Sequence, residues 1–140
     1  MPERFIGTWK LVSYENRSGN QVTYPLGENP VGYIMYNAEG YMAVAIMAAN
    51  RRRFSSTDIM AATTEEIVSA CSTYSTYCGK YDVTEDKVIH HVELSLYPNW
   101  IGEDQVRFYK FEGDKLILST PPMIFSGKQQ SGYLIWQKMK

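Results

Sequence analysis

The 140-residue chain lacks most of the features that would assign it to a specialised class. Two cysteines, Cys71 and Cys78, do not make a disulfide framework. On one straight helix their separation would be about 10 Å of rise, too far for a bridge, so two free thiols are expected, as a reducing compartment allows. No apolar run approaches the roughly 20 residues that span a bilayer. Charge of one sign is missing too: 14 basic residues against 15 acidic ones leave a net −1. That balance gives no electrostatic reason to expect nucleic acid or an anionic membrane as a partner. The one basic run, Arg51-Arg52-Arg53, reads as a solvated loop. Met1-Pro2-Glu3-Arg4 leads straight into Phe5-Ile6-Gly7-Thr8-Trp9 with no apolar signal stretch, and a cytoplasmic protein is expected.

What the chain does have is apolar mass and tyrosine. Hydrophobic residues make up 44% of it, enough for one domain over residues 1–140 to form a core without a metal or disulfides. Aromatics reach 14%, with 11 tyrosines against 5 phenylalanines. A small domain rich in tyrosine has strand surfaces that need β-formers or a cavity with polar points, since each ring carries a hydroxyl that wants a partner.

Alternation rather than helical period dominates. Strands are predicted over residues 8–14, 21–24, 31–36, 41–47, 80–83, 88–96, 105–111, 115–120 and 132–138. Asn37-Ala38-Glu39-Gly40 joins the strands 31–36 and 41–47 into a hairpin. One helix is predicted around residues 63–78. Thr63 is its N-cap with Glu65 and Glu66 in the first turn, Ile67, Ala70, Cys71, Tyr74 and Cys78 share a face, and Gly79 is at its end. Many short strands, one helix and no long unpaired edge predict an all-β fold, a single closed antiparallel barrel.

Phe5-Ile6-Gly7-Thr8-Trp9-Lys10-Leu11 resembles the Gly-x-Trp opening of the lipocalins and their calycin relatives. More specifically, the chain resembles the bacterial lipocalin-like domain family of small stand-alone proteins. The blocks that carry this are Gly32-Tyr33-Ile34-Met35-Tyr36 with Gly40-Tyr41-Met42, Tyr77-Cys78-Gly79-Lys80-Tyr81, Val88-Ile89-His90-His91-Val92-Glu93, Pro98-Asn99-Trp100-Ile101-Gly102 with Gln105-Val106-Arg107-Phe108, Leu116 to Pro122, and Leu134-Ile135-Trp136. The resemblance implies a lipocalin-like (calycin-type) barrel in which Trp9 plugs one end beneath a basic side chain. Where that pattern leads to an arginine just after Trp136, this chain has Gln137-Lys138, which leaves Lys138 or Arg107 to cover Trp9. Fold alone does not fix chemistry.

His90 and His91 are the only histidines. Neighbours on a strand point to opposite faces, so they cannot chelate one ion, and no metal or cofactor is expected. The even set Val88, His90, Val92, Leu94 and Leu96 is apolar apart from histidine, which predicts that it faces inward and leaves His91 and Glu93 as a solvated pair. His90 is then either a satisfied core residue or, in a hollow barrel, a polar anchor or general base. Arg107 shares a face with Gln105, Tyr109 and Phe111. Pointing inward, it needs a partner, which could be a ligand carboxylate, phosphate or enolate; pointing outward, it would pair with Glu93 or cover Trp9. Tyr33, Tyr81 and Tyr109 could place hydroxyls in the cavity, Met35 could line it, and Trp100 reads as a lid or mouth residue. No nucleophile with an adjacent base and no phosphate loop is present.

Three functions follow as expectations. The first is binding of a small hydrophobic or amphipathic organic molecule inside the barrel of a monomer or homodimer, oriented by His90, Arg107 and tyrosines. The second is cofactor-independent isomerase, cyclase or hydratase chemistry, with His90 as acid/base and Arg107 stabilising negative charge. The third is an interaction module whose barrel is filled by its own aromatics.

Overall fold

In the computed structural model, which describes residues 2–140, burial alternates along the strands as the sequence does. In β3 (Val31–Tyr36) Gly32, Ile34 and Tyr36 are buried while Val31, Tyr33 and Met35 are exposed. In β4 (Tyr41–Met47) Met42, Val44 and Ile46 point inward in the same way. A strand with one apolar face needs a core on that side and tolerates water on the other. The remaining strands are β1 (Gly7–Ser18), β2 (Gln21–Thr23), β5 (Tyr74–Val83), β6 (Lys87–Ser95), β7 (Asp104–Glu112), β8 (Lys115–Ser119), β9 (Met123–Phe125) and β10 (Lys128–Lys138). Their order is β2-β1-β3-β4-β5-β6-β7-β8-β10-β9, and β1 also pairs with β10. Setting aside the two short end strands of that order, β2 and β9, the other eight close into an antiparallel barrel. β2 and β9 are flaps on β1 and β10 at one end of it. Closure removes the long edges that would otherwise pair with other chains.

The opposite end is a floor of packed rings. Phe5 is fully buried, and its centroid lies 5.1 Å from Tyr36, 4.9 Å from Tyr109 and 5.1 Å from Phe111, each edge-on. Trp9 donates its indole N–H to the Phe5 carbonyl at 2.9 Å. Of the two candidates to cover Trp9, Lys138 takes the place: its Nζ sits 4.9 Å from the ring centroid and donates to the Ile6 carbonyl at 2.8 Å. Gly7 makes this possible. Its φ is +132°, and a Cβ there would come within 2.7 Å of Lys138 Cε, so the glycine two residues before Trp9 is a steric need of the plug.

The helix is shorter than its periodicity predicts. α1 spans Thr64–Ser72 and begins as expected, with Thr63 as N-cap in a reciprocal capping box with Glu66. Glu66 accepts from the Thr63 and Ser55 backbone N–H groups, which hold its carboxyl below its usual range. It ends at Thr73, however, and Tyr74 and Cys78 belong to β5. Seven consecutive pairs join β5 to β4, from Met47↔Tyr74 to Tyr41↔Lys80. These pairs and the β-forming residues 73–78 outweigh a helical spacing that happens to continue through them. Gly79 therefore stops no helix. It lies in β5 where a Cβ would meet the His91 carbonyl oxygen at 1.9 Å, beside a bulge in the β5–β6 pairing.

That bulge also corrects the face of β6. Gly79 pairs with Val92 and Cys78 with Leu94, skipping Glu93. Val88, His90 and Val92 are buried as predicted, but Leu94 is turned out to solvent with 62% exposure and Leu96 is exposed too. His91 faces out, and its partners are Asp82 and Asp104 rather than Glu93. Arg51 is not merely solvated: it donates to Thr73 Oγ1 at 3.0 Å and to the Ala70 carbonyl at 2.9 Å, satisfying the C-terminal end of α1. Both cysteines are free. Among the described residues no helix is long and apolar enough to cross a membrane.

Candidate functional site

Above the aromatic floor the barrel is hollow. A cavity of about 270 Å³ lies between His90 and Trp136 below and the flaps above, walled by Ile34, Val44, Ile46, Leu118 and Leu134. It opens at the end where β1 finishes and β10 begins. Leu26, Ser72 at the end of α1, Met123, Phe125 and Gln130 rim the opening. Lys128 at the start of β10 donates from Nζ to Gln21 Oε1 of the β2 flap at 3.0 Å. The expectation of a barrel filled by its own aromatics therefore applies to the lower half alone.

His90, 1% exposed, stands at the boundary between the two halves. Its Nε2 is 2.7 Å from the Tyr36 hydroxyl and its Nδ1 is 2.7 Å from the Tyr77 hydroxyl. Burial, then the positive charges of Arg107 and His91, push its pKa well below the usual histidine range, so the ring is neutral. A neutral imidazole has one N–H and one bare nitrogen, and the surroundings decide which is which. Tyr36 is in the floor, away from the cavity, and makes no other hydrogen bond among the described residues, so its hydroxyl must donate to Nε2. The proton is then on Nδ1, which donates to the Tyr77 oxygen. Tyr77 lines the cavity, and its own O–H is left to donate into it. Burial raises the pKa of both phenols, more strongly for Tyr36, so both remain protonated.

Arg107 lines the same cavity from β7. Its Nη1 donates to the Val106 carbonyl at 2.9 Å and its Nη2 to Gln105 Oε1 at 3.3 Å. No carboxylate comes within ion-pair distance of it among the described residues. Trp136 also borders the cavity, and its indole N–H is buried with no acceptor among the described residues. The cavity thus presents largely apolar walls, one cation, the Tyr77 hydroxyl and neutral polar side chains such as Tyr14, Asn16, Thr120 and Gln130.

The residues singled out in the sequence separate into three groups. His90, Arg107 and Trp100 all border the cavity, with Trp100 edge-on to Tyr77 at 5.7 Å. Tyr81 and Tyr109 point inward but belong to the floor. Tyr81 donates to the Asn37 carbonyl at 2.9 Å, and Tyr109 donates to the carbonyls of Thr84 and Glu85. Tyr33 and Met35, 42% and 48% exposed, are on the outer face, because strand parity gives the interior to Gly32, Ile34 and Tyr36. Tyr77, Tyr36 and Trp136 went unnoticed as site residues. Extending the helix through residue 78 hid Tyr77, although the alternation Tyr77, Gly79, Tyr81 carries the strand signal. Among the described residues no group of three or more His, Cys, Asp or Glu is arranged to hold a metal ion.

Two comparisons bear on this geometry. A protein of Aspergillus oryzae named 4'-hydroxy-3'-methoxypropiophenone carrier protein is 36% identical over 107 residues, which cover 70% of this chain and 96% of that one. The model of a family described as a lipocalin-like domain matches residues 6–139, which takes in the plug, the hydroxyl relay and the closing strand. With its closed eight-stranded barrel and a match along nearly its whole length, the chain belongs to the lipocalin-like domain family.

Proposed function

We propose that the protein binds a small, partly apolar organic molecule in the upper half of its barrel. The observation that carries this reading is the hollow of about 270 Å³, open at one end, whose largely apolar wall carries Arg107, Tyr77 and a few neutral polar side chains, among them Tyr14, Asn16, Thr120 and Gln130. An apolar void of roughly 150 Å³ admits benzene, so this one has room for a single substituted ring. The A. oryzae relative is named for carrying a molecule of that description, an aryl ketone with a hydroxyl and a methoxy group.

Binding is favoured over turnover by the position of His90. A general base must reach the proton it removes, and both ring nitrogens of His90 are taken by tyrosine hydroxyls. Its part in this reading is to orient Tyr77, which meets the ligand. The test is titration with 4'-hydroxy-3'-methoxypropiophenone, followed by tryptophan fluorescence and by native mass spectrometry. Trp100 and Trp136 both border the cavity and report its occupancy. One molecule per chain is expected, and Val44→Phe, which fills the wall, should weaken binding at least about tenfold. Equal binding by Val44→Phe, or none by the unaltered protein to this ketone and a panel of single-ring phenols and acids, would sink the interior site.

A further inference from the structure

We infer that the cavity is built for an oxyanion: a single-ring weak acid bound as its phenolate or carboxylate, with the charged oxygen on the guanidinium of Arg107. This rests on the cavity being a binding site, and it adds the charge and the orientation of what is bound.

Charge comes first. Among the described residues that line the cavity there is no Asp, Glu or Lys, and Arg107 is the one side chain with a formal charge. The groups around the guanidinium are Tyr14 from β1, Tyr36 from β3, Tyr77 from β5, His90 from β6 and Gln105 beside it on β7. From β8 and β10 the wall supplies Leu118, Leu134 and Trp136. None of these is an anion at neutral pH, since burial holds the three phenols protonated and His90 is neutral. Arg107 is half-buried, and a half-buried cation without a counter-ion carries a desolvation cost that a ligand bringing the counter-ion relieves.

Hydrogen bonding points the same way. A guanidinium carries five N–H bonds, and the two used here go to neutral oxygens of its own strand. Trp136, which borders the cavity, carries a buried N–H with no acceptor among the described residues, which native structures rarely leave unexplained. Tyr77 contributes an O–H that the relay from Tyr36 through His90 turns toward the cavity. Arg107 and Tyr77 thus offer donors from two strands to a space lined by no carboxylate. What completes such a set is an acceptor-rich oxygen, and an anionic one binds Arg most strongly.

The experiment uses the whole protein and three probes of one size: para-hydroxyacetophenone, its methyl ether para-methoxyacetophenone, and para-methoxybenzoate. The phenolate of the first absorbs at longer wavelength than the phenol, so its ionisation can be read while bound. The expected result is a bound pKa at least about one unit below that of the free phenol, equivalent to a tenfold preference for the anion. The methyl ether should bind about tenfold more weakly than the hydroxy compound once the latter is ionised. Arg107→Gln should abolish the shift and Arg107→Lys should keep its sign. Tight binding of the benzoate would extend the site to carboxylates, whereas its exclusion would assign the site to phenolates. If the phenol and its ether bind alike and the bound phenol keeps its free pKa, the oxyanion inference is overturned while the binding site stands. If none of the probes binds, the binding site and the inference fall together. The spectrum of the unaltered protein decides the matter even if an Arg107 variant does not fold.

Discussion

Tyr36→Phe and Tyr77→Phe remove the same atom from opposite sides of one imidazole, and the structure predicts unequal costs. Tyr36 and His90 are 2% and 1% exposed, and Tyr36 does not line the cavity. With Phe at 36, the bare Nε2 of His90 loses its donor and water has no route to replace it. A buried group left unsatisfied in this way costs about 1–3 kcal/mol. With Phe at 77, the His90 Nδ1–H loses its acceptor, but that side borders the cavity, where a water molecule can take the oxygen's place. The expected cost is about 0.5–1.5 kcal/mol, the usual net value of one hydrogen bond. Affinity should respond in the opposite order, falling in Tyr77→Phe and holding in Tyr36→Phe. Urea unfolding followed by tryptophan fluorescence gives both stabilities, provided the slope with denaturant is unchanged. In a thermal scan each kcal/mol is worth about 4 °C for a domain of this size. Greater destabilisation from Tyr77→Phe, or none from Tyr36→Phe, would refute the tautomer assigned to His90. Nitrogen chemical shifts of the ring test it directly, with the proton expected on Nδ1.

The two adjacent histidines should bend the pH–stability curve in opposite directions. Hydrogen bonds donated by His91 to Asp104 and then to Asp82 raise its pKa, so its contribution is complete below the unfolded value of about 6.5 and fades as pH climbs through the folded one. His90 has its pKa lowered, so the native state loses stability as pH falls below about 6.5 and the unfolded chain takes up a proton first. Stability from this pair should peak near that pH, and His91→Gln should flatten the alkaline side alone. The size of the His91 effect should stay within about 1 kcal/mol, because the pair is largely exposed. A steeper acid limb in His91→Gln would contradict this reading. Gly79→Ala should cost roughly 2–3 kcal/mol or prevent folding, since the added methyl runs into backbone rather than a side chain that can move. Chemical denaturation measures it, and a neutral substitution would mean that the strands can separate at the bulge.

Much of the fold was legible in the sequence because strand parity is a local rule. Alternation in residues 31–36 and 41–47 gave the first hairpin, Thr63 with Glu66 gave the helix start, and the Gly-x-Trp opening gave the plug. Other features depended on contacts distant in sequence. The end of α1 is set by the pairing of β5 with β4, and the outward turn of Leu94 is set by a bulge against Gly79. Parity also misled where it was not followed through. With Ile34 inward, Tyr33 and Met35 had to face out, whatever their chemistry. His90 and Arg107 could be placed on faces, but the partners of His90 come from β3 and β5, and no spacing within β6 reveals those.

The hydroxyl relay explains why a histidine stands at a position that its strand would otherwise give to an aliphatic residue. An apolar side chain between Val88 and Val92 would pack the boundary of floor and cavity without the need for two matched tyrosines, and buried polar groups add little net stability over well-packed apolar ones. What the relay adds is direction. Tyr36 has one acceptor within reach, so its hydrogen fixes the His90 tautomer, and the tautomer fixes the lone pair that Tyr77 must use. A phenol that would otherwise turn between donor and acceptor roles is thereby set to donate into the cavity, before anything is bound. Preorganised donors lower the ordering cost of binding, and an oxygen seated there would gain from Tyr77 without first having to reorient it.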